Sequence, residues 1–394
     1  MVNVKIKKRF VEKILGGYPL LTKDMLVNPE QLEKEGEVLV AADERGRFLA
    51  RGFQGSQNKG VGWLLTWDSE EQVDQRLFSN RLRAALGRRN LWFAKADTTA
   101  FRVFNGEGDG IGGLTIDFFD DHYLFTWYSE GIYAFREEIL NAFEELADYK
   151  SIYEKKRFDT KGQYVADDDF VRGEKPDFPL IVKENGASFA IYLNDGAMVG
   201  VFLDQRDVRK AIRDRYAEGK NVLNTFSYTG AFSVFAALGG AVKTTSVDLA
   251  NRSVAKTIEQ FSMNGIDYEA QDILVRDVFR YFDYAVKNKL KFDLVVMDPP
   301  SFARSKKHTF SAAKDYKDLM KRAIDVTEDK GIIVASTNAA SFNMKKFERF
   351  IDEGFKEKGL RYEILESYSL PEDFKTTSAF PEGDYLKVLF VKKK

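Results

Sequence analysis

The stretch DLVVMDPPSF, residues 293–302, is an apolar run that ends in one acid and two adjacent prolines. Val295, Val296 and Met297 read as a strand covered on both faces, as in a parallel sheet. The chain has only eight prolines in 394 residues, yet two stand at this tip. Proline cannot donate a ladder hydrogen bond, so Pro299 and Pro300 stop the strand, stiffen the loop and hold Asp298 extended. The sheet therefore delivers one carboxylate to a fixed point.

Working outward from that strand, the segments from about residue 186 onward alternate in type. NVLNTF (221–226) is a strand, TGAFSVFAAL (229–238) a helix, KTTSVD (243–248) a strand and NRSVAKTIEQFSMNG (251–265) a helix closed by Gly265. After the strand at 292–298 come the helix KDYKDLMKRAIDV, the strand GIIVAST and the helix KKFERFIDEGFKEKG. Two final strands, RYEILESY and DYLKVLFVKK, complete the pattern. This predicts an α/β fold with a doubly wound sheet and a terminal antiparallel hairpin.

Residues 1–70 read differently. VNVKIKK alternates apolar and basic residues, and EVLVAADERGRFLARGF reads as two strands around a turn, so this part is a small β-rich module. Residues 71–185 form a central mixed part with two recognisable helices. Ser69 and Gln72 make a capping-box pattern ahead of the first, and YAFREEILNAFEEL is the second. Between them GEGDGIGG (106–113) imitates the glycine fingerprint of dinucleotide sites. The next residues, LTIDFFDDHYLF, are strand-like where that fingerprint needs a helix, so the glycines are read as a tight loop.

Composition narrows the chemistry. Charged residues make up 31% and apolar residues 44%, as in an ordinary globular protein. No stretch has membrane-spanning length, and nothing argues for export, so a cytoplasmic location is expected. The absence of cysteine excludes disulfides, thiolate metal sites and thiol catalysis. Two distant histidines, His122 and His308, argue against a metal centre. The net charge of -1 gives no global attraction for nucleic acid, but the charge is uneven. Basic residues gather at Lys5 and Lys7, and again at Arg76, Arg81, Arg83, Arg88, Arg89 and Lys95 with no acid among them. Such stripes suit phosphate contacts, although a solvated helix face explains either one alone.

Ligands of doubly wound sheets bind at the carboxyl ends of the strands. Those ends carry Asn224 to Gly230, Asp248, Asp277, Asp298 and Ser336-Thr337-Asn338. One glycine, Gly230, and no Walker lysine point to a cofactor without phosphate. Asp248 stands where a carboxylate binds ribose hydroxyls. Asp277 suits either an adenine amino group or a helix N-cap.

The motifs LDQRDVR, VLNTFSYTGAFSVFAALGGA, SVDLANRSV, FDLVVMDPPSFARSK and FPEGDYLKVLF occur in this order, with VFNGEGDGIGGLTIDFF ahead of them. Together they resemble the bacterial S-adenosylmethionine-dependent 23S rRNA methyltransferases, nearest to the cytosine-C5 branch, across essentially the whole chain. The resemblance implies a PUA-like RNA-binding domain (1–70), a central β-rich domain with the basic helix (71–185) and a Rossmann-like class I methyltransferase domain (186–394). It implies that S-adenosylmethionine is held by Gln205, Asn224, Phe226, Thr229, Gly230, Asp248, Asp277 and Asp298. Asp298, Pro299, Pro300, Phe302 and Asn338 fall on the catalytic loops. Lys5, Lys7, Arg81, Arg88, Arg89, Arg206, Arg304, Lys306 and Lys307 become candidates for gripping rRNA, with no metal involved and with a homodimer left open.

One departure redirects the chemistry. Cytosine C5 is a poor nucleophile, and its methylation proceeds through attack of a cysteine on C6. Where the family places a Ser-Cys-Ser sequence, this chain reads STNAASFNM (336–344), which is similar instead to the guanine-N7 half of a bifunctional 23S rRNA methyltransferase. Guanine N7 or an exocyclic amine is therefore the expected target. The alternative is a non-catalytic RNA-binding or ribosome-assembly factor with a vestigial cofactor pocket.

Overall fold

A computed structural model describes residues 1–158, 169–196, 198–304 and 309–394, with only the backbone of residues 303, 304 and 309. Two compact units make up the chain. The first contains Met1–Val182, Ile191–Val199 and Glu372–Gly383; the second contains Lys183–Ala190, Gly200–Pro371 and Asp384–Lys394.

In the second unit seven strands form one sheet: β1 (Asn221–Thr225), β2 (Lys243–Asp248), β3 (Asp272–Val275), β4 (Phe292–Met297), β5 (Thr327–Thr337), β6 (Tyr362–Tyr368) and β7 (Lys387–Lys393). Their order is β3-β2-β1-β4-β5-β7-β6. Neighbours pair in parallel except β7, which runs antiparallel to both β5 and β6. The order reverses between β1 and β4, the place where doubly wound sheets open a crevice.

Alternate residues of the central strands feed opposite cores, which is why their sequences read as continuous apolar runs. Val295, Met297, Ile333 and Ala335 pack with α4 (Val278–Lys287), α5 (Ala312–Val326) and α6 (Met344–Glu357). Leu294, Val296 and Val334 pack on the other face with α1 (Arg206–Ala211) and α2 (Ala231–Leu238). A further helix, α3 (Arg252–Met263), comes after β2. Arg209 and Glu184 lock α1 from below with a bidentate pair, 2.7 Å on each arm and 2% and 1% exposed.

The first unit holds two five-stranded sheets. One runs in the order Val2–Ile6, Val38–Asp43, Phe48–Gln57, Gly60–Thr66, Leu20–Thr22. The other runs Phe170–Gly173, Ser151–Lys156, His122–Trp127, Leu114–Phe119, Ala100–Asn105. The GEGDGIGG glycines sit in the loop between the antiparallel strands Ala100–Asn105 and Leu114–Phe119, where Gly106, Gly110 and Gly113 have positive φ. A side chain at Gly108 would meet the Lys375 carbonyl oxygen at 1.7 Å. The basic helix begins at Gln75, and Asp74, not Ser69, caps it by accepting from the Leu77 amide at 3.1 Å. Ser69 and Gln72 lie ahead of the helix, because an aspartate nearer the apolar face captures the free amide first.

Candidate active site

Register brings the site together. Thr225 lies level with Val247 and Met297, and Met297 with Ala335. Phe226, Asp248, Asp298 and Ser336 therefore lie at one height at the carboxyl end of the sheet, on or just beyond four adjacent strands. The turn after β1 is unusual in its backbone: Phe226 and Tyr228, neither of them glycine, have φ of 56° and 52°. Left-handed residues of this bulk are held only where surrounding contacts over-determine them. Here those contacts are visible. Asp248 accepts from the Tyr228 amide at 2.9 Å, Thr229 donates its hydroxyl to the Gly200 carbonyl at 2.6 Å, and Phe226 packs near Phe279. Gly230, at φ 78°, opens α2, and an added Cβ would meet Thr257 Cγ2 at 2.5 Å.

Asp298 is the centre of a small polar cluster. Gln205 Nε2 donates both to Asp298 Oδ1 at 3.0 Å and to Ser336 Oγ at 2.7 Å. The Ser336 hydroxyl also bonds the Asp298 side chain. Tyr316 on α5 donates to the Ser336 carbonyl at 2.8 Å from a fully buried position. Burial pushes the Asp298 carboxyl up to about 6, assisted by the nearby Asp204 charge and opposed by the Ser336 and Gln205 hydrogen bonds and by Arg209. Burial also pushes the Tyr316 phenol well above its usual range, with Asp298 adding to the effect. A proton-accepting group poised near neutrality at a strand tip is a site-like combination.

Beside this cluster, Ser301 donates its hydroxyl to Asn338 Oδ1, joining the proline loop to the loop after β5. Pro299 is buried, Pro300 exposed, and Phe302 is 63% exposed at the start of a short hairpin (Phe302–Arg304 with Thr309–Ser311). Leu249, next to Asp248, is 60% exposed. With Asp277 and Phe279 it lines a groove of 1140 Å³ along α4 and α5. Asp277 caps α4 by accepting from the Arg280 amide at 3.0 Å. Asp248 also accepts from the Ala250 amide at 2.9 Å.

Several candidates take other places. Asn224 is 0% exposed and donates to Ser233 Oγ at 3.0 Å, which in turn bonds Ser246 Oγ at 2.7 Å. It braces the turn from inside and does not line the crevice. Arg89 is 2% exposed; its guanidinium grips Asp109 at 2.8 and 2.7 Å and the Ala85 and Asp373 carbonyls. Every donor direction is spent internally, so a phosphate role for Arg89 is excluded. Arg206, 1% exposed, is likewise too deep for a surface phosphate. Arg88, 47% exposed, pairs with Asp109, and Arg81 donates to the Leu65 carbonyl. Lys5 is exposed, while Lys7 donates to the Asp24 carbonyl. Arg76, Asn80 and Arg83 share the solvent face of the basic helix at helical spacing. Lys306, Lys307 and the Arg304 side chain lie outside the described residues. The sequence places Ser336 at a strand end of the site but offers no sign of Ser301 or Tyr316, since their types are ordinary and only register gathers them.

The family model for S-adenosylmethionine-dependent methyltransferases matches residues 114–375, and the model for PUA-like domains matches residues 4–67. The chain belongs to the S-adenosylmethionine-dependent methyltransferase family. It is 62% identical, over the full length of both chains, to the Bacillus subtilis protein named "Putative ribosomal RNA large subunit methyltransferase YwbD". It is 31% identical to ribosomal RNA large subunit methyltransferase I of Aeromonas salmonicida, over 99% of each chain. Among solved structures, "SMU.776, a putative methyltransferase complexed with SAH" superposes over all of both chains with a TM-score of 0.92 and 37% identity. The protein is thus an enzyme that uses S-adenosylmethionine. The described residues at the strand tips fit such a cofactor: Asp248 and Asp298 are half-buried acceptors, Leu249 is an exposed apolar side chain, and the turn after β1 carries a single glycine, Gly230.

Gly230→Ala is expected to destabilise the second unit by about 2 kcal/mol or more, from the left-handed backbone and the collision with Thr257. It should also weaken S-adenosylhomocysteine binding in calorimetry. Unchanged melting and affinity would refute this account of the turn.

Proposed function

We propose that the enzyme methylates a nitrogen atom of a base in large-subunit rRNA, in the cytoplasm, by positioning and without a covalent enzyme–base intermediate. The observation that carries this reading is the absence of any cysteine while the end of β5 and the first residue beyond it read Ser336-Thr337-Asn338. The names of the full-length relatives and the PUA-like match support the rRNA substrate.

In this reading Asp248 binds the ribose hydroxyls, Leu249, Asp277 and Phe279 surround the adenine, and Gly230 lets the turn approach the cofactor. Phe226 and Thr229 keep that turn open, while Asn224 braces it from behind. The cofactor supplies a methyl group on a sulfonium, which needs an aligned nucleophile and little else. Phe302 offers an exposed face on which a splayed base stacks. Asp298 and the Pro299 carbonyl accept hydrogens from an exocyclic amine, and Gln205 and Ser336 hold the carboxylate for that purpose. A second target has its own support. With Oδ1 of Asn338 engaged by Ser301, its NH2 remains a donor for the O6 acceptor of guanine, which leaves the N7 lone pair free to attack the methyl group. Lys5 and the Arg76–Arg83 face supply phosphate contacts, which are insensitive to sequence and weaken with salt.

Mass spectrometry of rRNA nucleosides from cells with and without the gene tests the proposal. Gene-dependent 7-methylguanosine or an N-methylated exocyclic amine is the expected outcome. Gene-dependent 5-methylcytidine, or no dependent nucleoside, would refute it.

A further inference from the structure

Lys387 opens β7 and lies opposite Thr337 in the β5–β7 register. It is 4% exposed, and burial pushes its ammonium below the usual lysine range, with Asp384 pulling the other way. Burying an ammonium is costly, and a methionine would fill the same channel without that penalty. What the ammonium does there is specific. It donates to the Ala339 carbonyl at 3.1 Å and to the Tyr385 carbonyl at 2.7 Å, with Nζ 5.7 Å from the Phe342 ring centroid. Ala339 comes directly after Asn338, and Phe342 closes the same loop. The Tyr385 hydroxyl donates to Asp204 Oδ2 at 2.9 Å, and Asp204 adjoins Gln205, which orients Asp298. One buried cation thus ties the Asn338 loop to β7 and, through Tyr385, to the turn behind the catalytic carboxylate.

We propose that Lys387 is a positioning residue for the target base: its grip on the Ala339 carbonyl fixes the angle at which Asn338 presents that base to the methyl donor. The inference rests on the reading that Asn338 contacts the base. It assigns to β7 a part in catalysis beyond closing the sheet, and it accounts for a charge that the sheet itself does not need.

Four full-length variants test it: Lys387→Met, Lys387→Gln, Asn338→Ala and the Lys387→Met/Asn338→Ala double. The substrate is rRNA from cells lacking the gene, with S-adenosylhomocysteine titrations and melting curves alongside. Displacement of a positioned group by about 1 Å costs on the order of 100-fold in rate. Lys387→Met should therefore lose about that much in kcat, with KM for rRNA and S-adenosylhomocysteine affinity near wild type, and Lys387→Gln should recover part of the loss. Because both residues act through one loop, the double variant should be no slower than the slower single. Additive losses, a wild-type kcat in Lys387→Met, or an equal loss of S-adenosylhomocysteine affinity would overturn the inference. Full activity in Asn338→Ala would instead overturn the base-contact reading beneath it. If Lys387→Met fails to fold, Lys387→Gln carries the same comparisons.

Discussion

Asp298→Asn should lose methyl transfer by about 10²–10⁴-fold and at the same time melt at a higher temperature than the wild type at pH 8. The two effects have one origin. The native carboxyl sits at about 6, above the roughly 3.9 of an unfolded aspartate, so the folded state holds its proton more tightly. Stability from this group is present below the unfolded value and is lost as pH rises through about 6. Above that pH the ionised carboxyl burdens the fold by about 1–3 kcal/mol, a load that the amide does not carry. For a unit of this size each kcal/mol is worth about 2–4 °C. The melting advantage should shrink as pH falls from 8 towards 5, and differential scanning calorimetry across that range measures it. If an exocyclic amine is the target, wild-type activity should also fall below about pH 6, where the acceptor is protonated. A variant that melts below the wild type at pH 8 would show that Asp298 organises the strand tip instead of straining it.

The second large effect concerns Glu184→Gln. The Arg209 guanidinium donates to both carboxylate oxygens of Glu184 and to the Phe202 carbonyl in a setting with almost no solvent. Neutralising the acid leaves a buried cation without its counter-charge, and such cuts cost about 3–5 kcal/mol. Urea unfolding should show the midpoint drop in the second unit. The paired replacement Glu184→Leu with Arg209→Met should recover most of it, because an apolar pair avoids desolvation altogether. Equal destabilisation by the single and the paired replacement would mean that packing, not charge, is what α1 requires.

Much of this architecture was legible from the residues because several elements of the second unit carry their own signals. Pro299 and Pro300 end β4, Gly265 and Gly359 close helices, and the apolar runs identify strands covered on two faces. The glycines at 106–113 were separable from a nucleotide loop by the strand-like run at 114–125, and the loop lies between antiparallel strands. Side-chain burial was less legible. Arg89 looks like one more surface arginine until Asp109 and the Asp373 carbonyl surround it, and Asp373 is remote in sequence. Lys387 sits in an apolar strand with no local sign that two carbonyls await its ammonium. Partners of this kind depend on tertiary register, which no periodicity encodes.

The excursion of residues 372–383 into the first unit has a consequence for biogenesis. Asp373 accepts from the Arg102 amide at 2.7 Å, and Phe380 packs edge-on to Trp63 at 5.9 Å. A ribosome delivers these residues only after it has made 200–371, so the amino-terminal unit must wait, unfinished, while its neighbour emerges. Vectorial completion in order of synthesis is thereby ruled out for this topology: the amino-terminal unit gains its last segment only after residues 200–371 have been made.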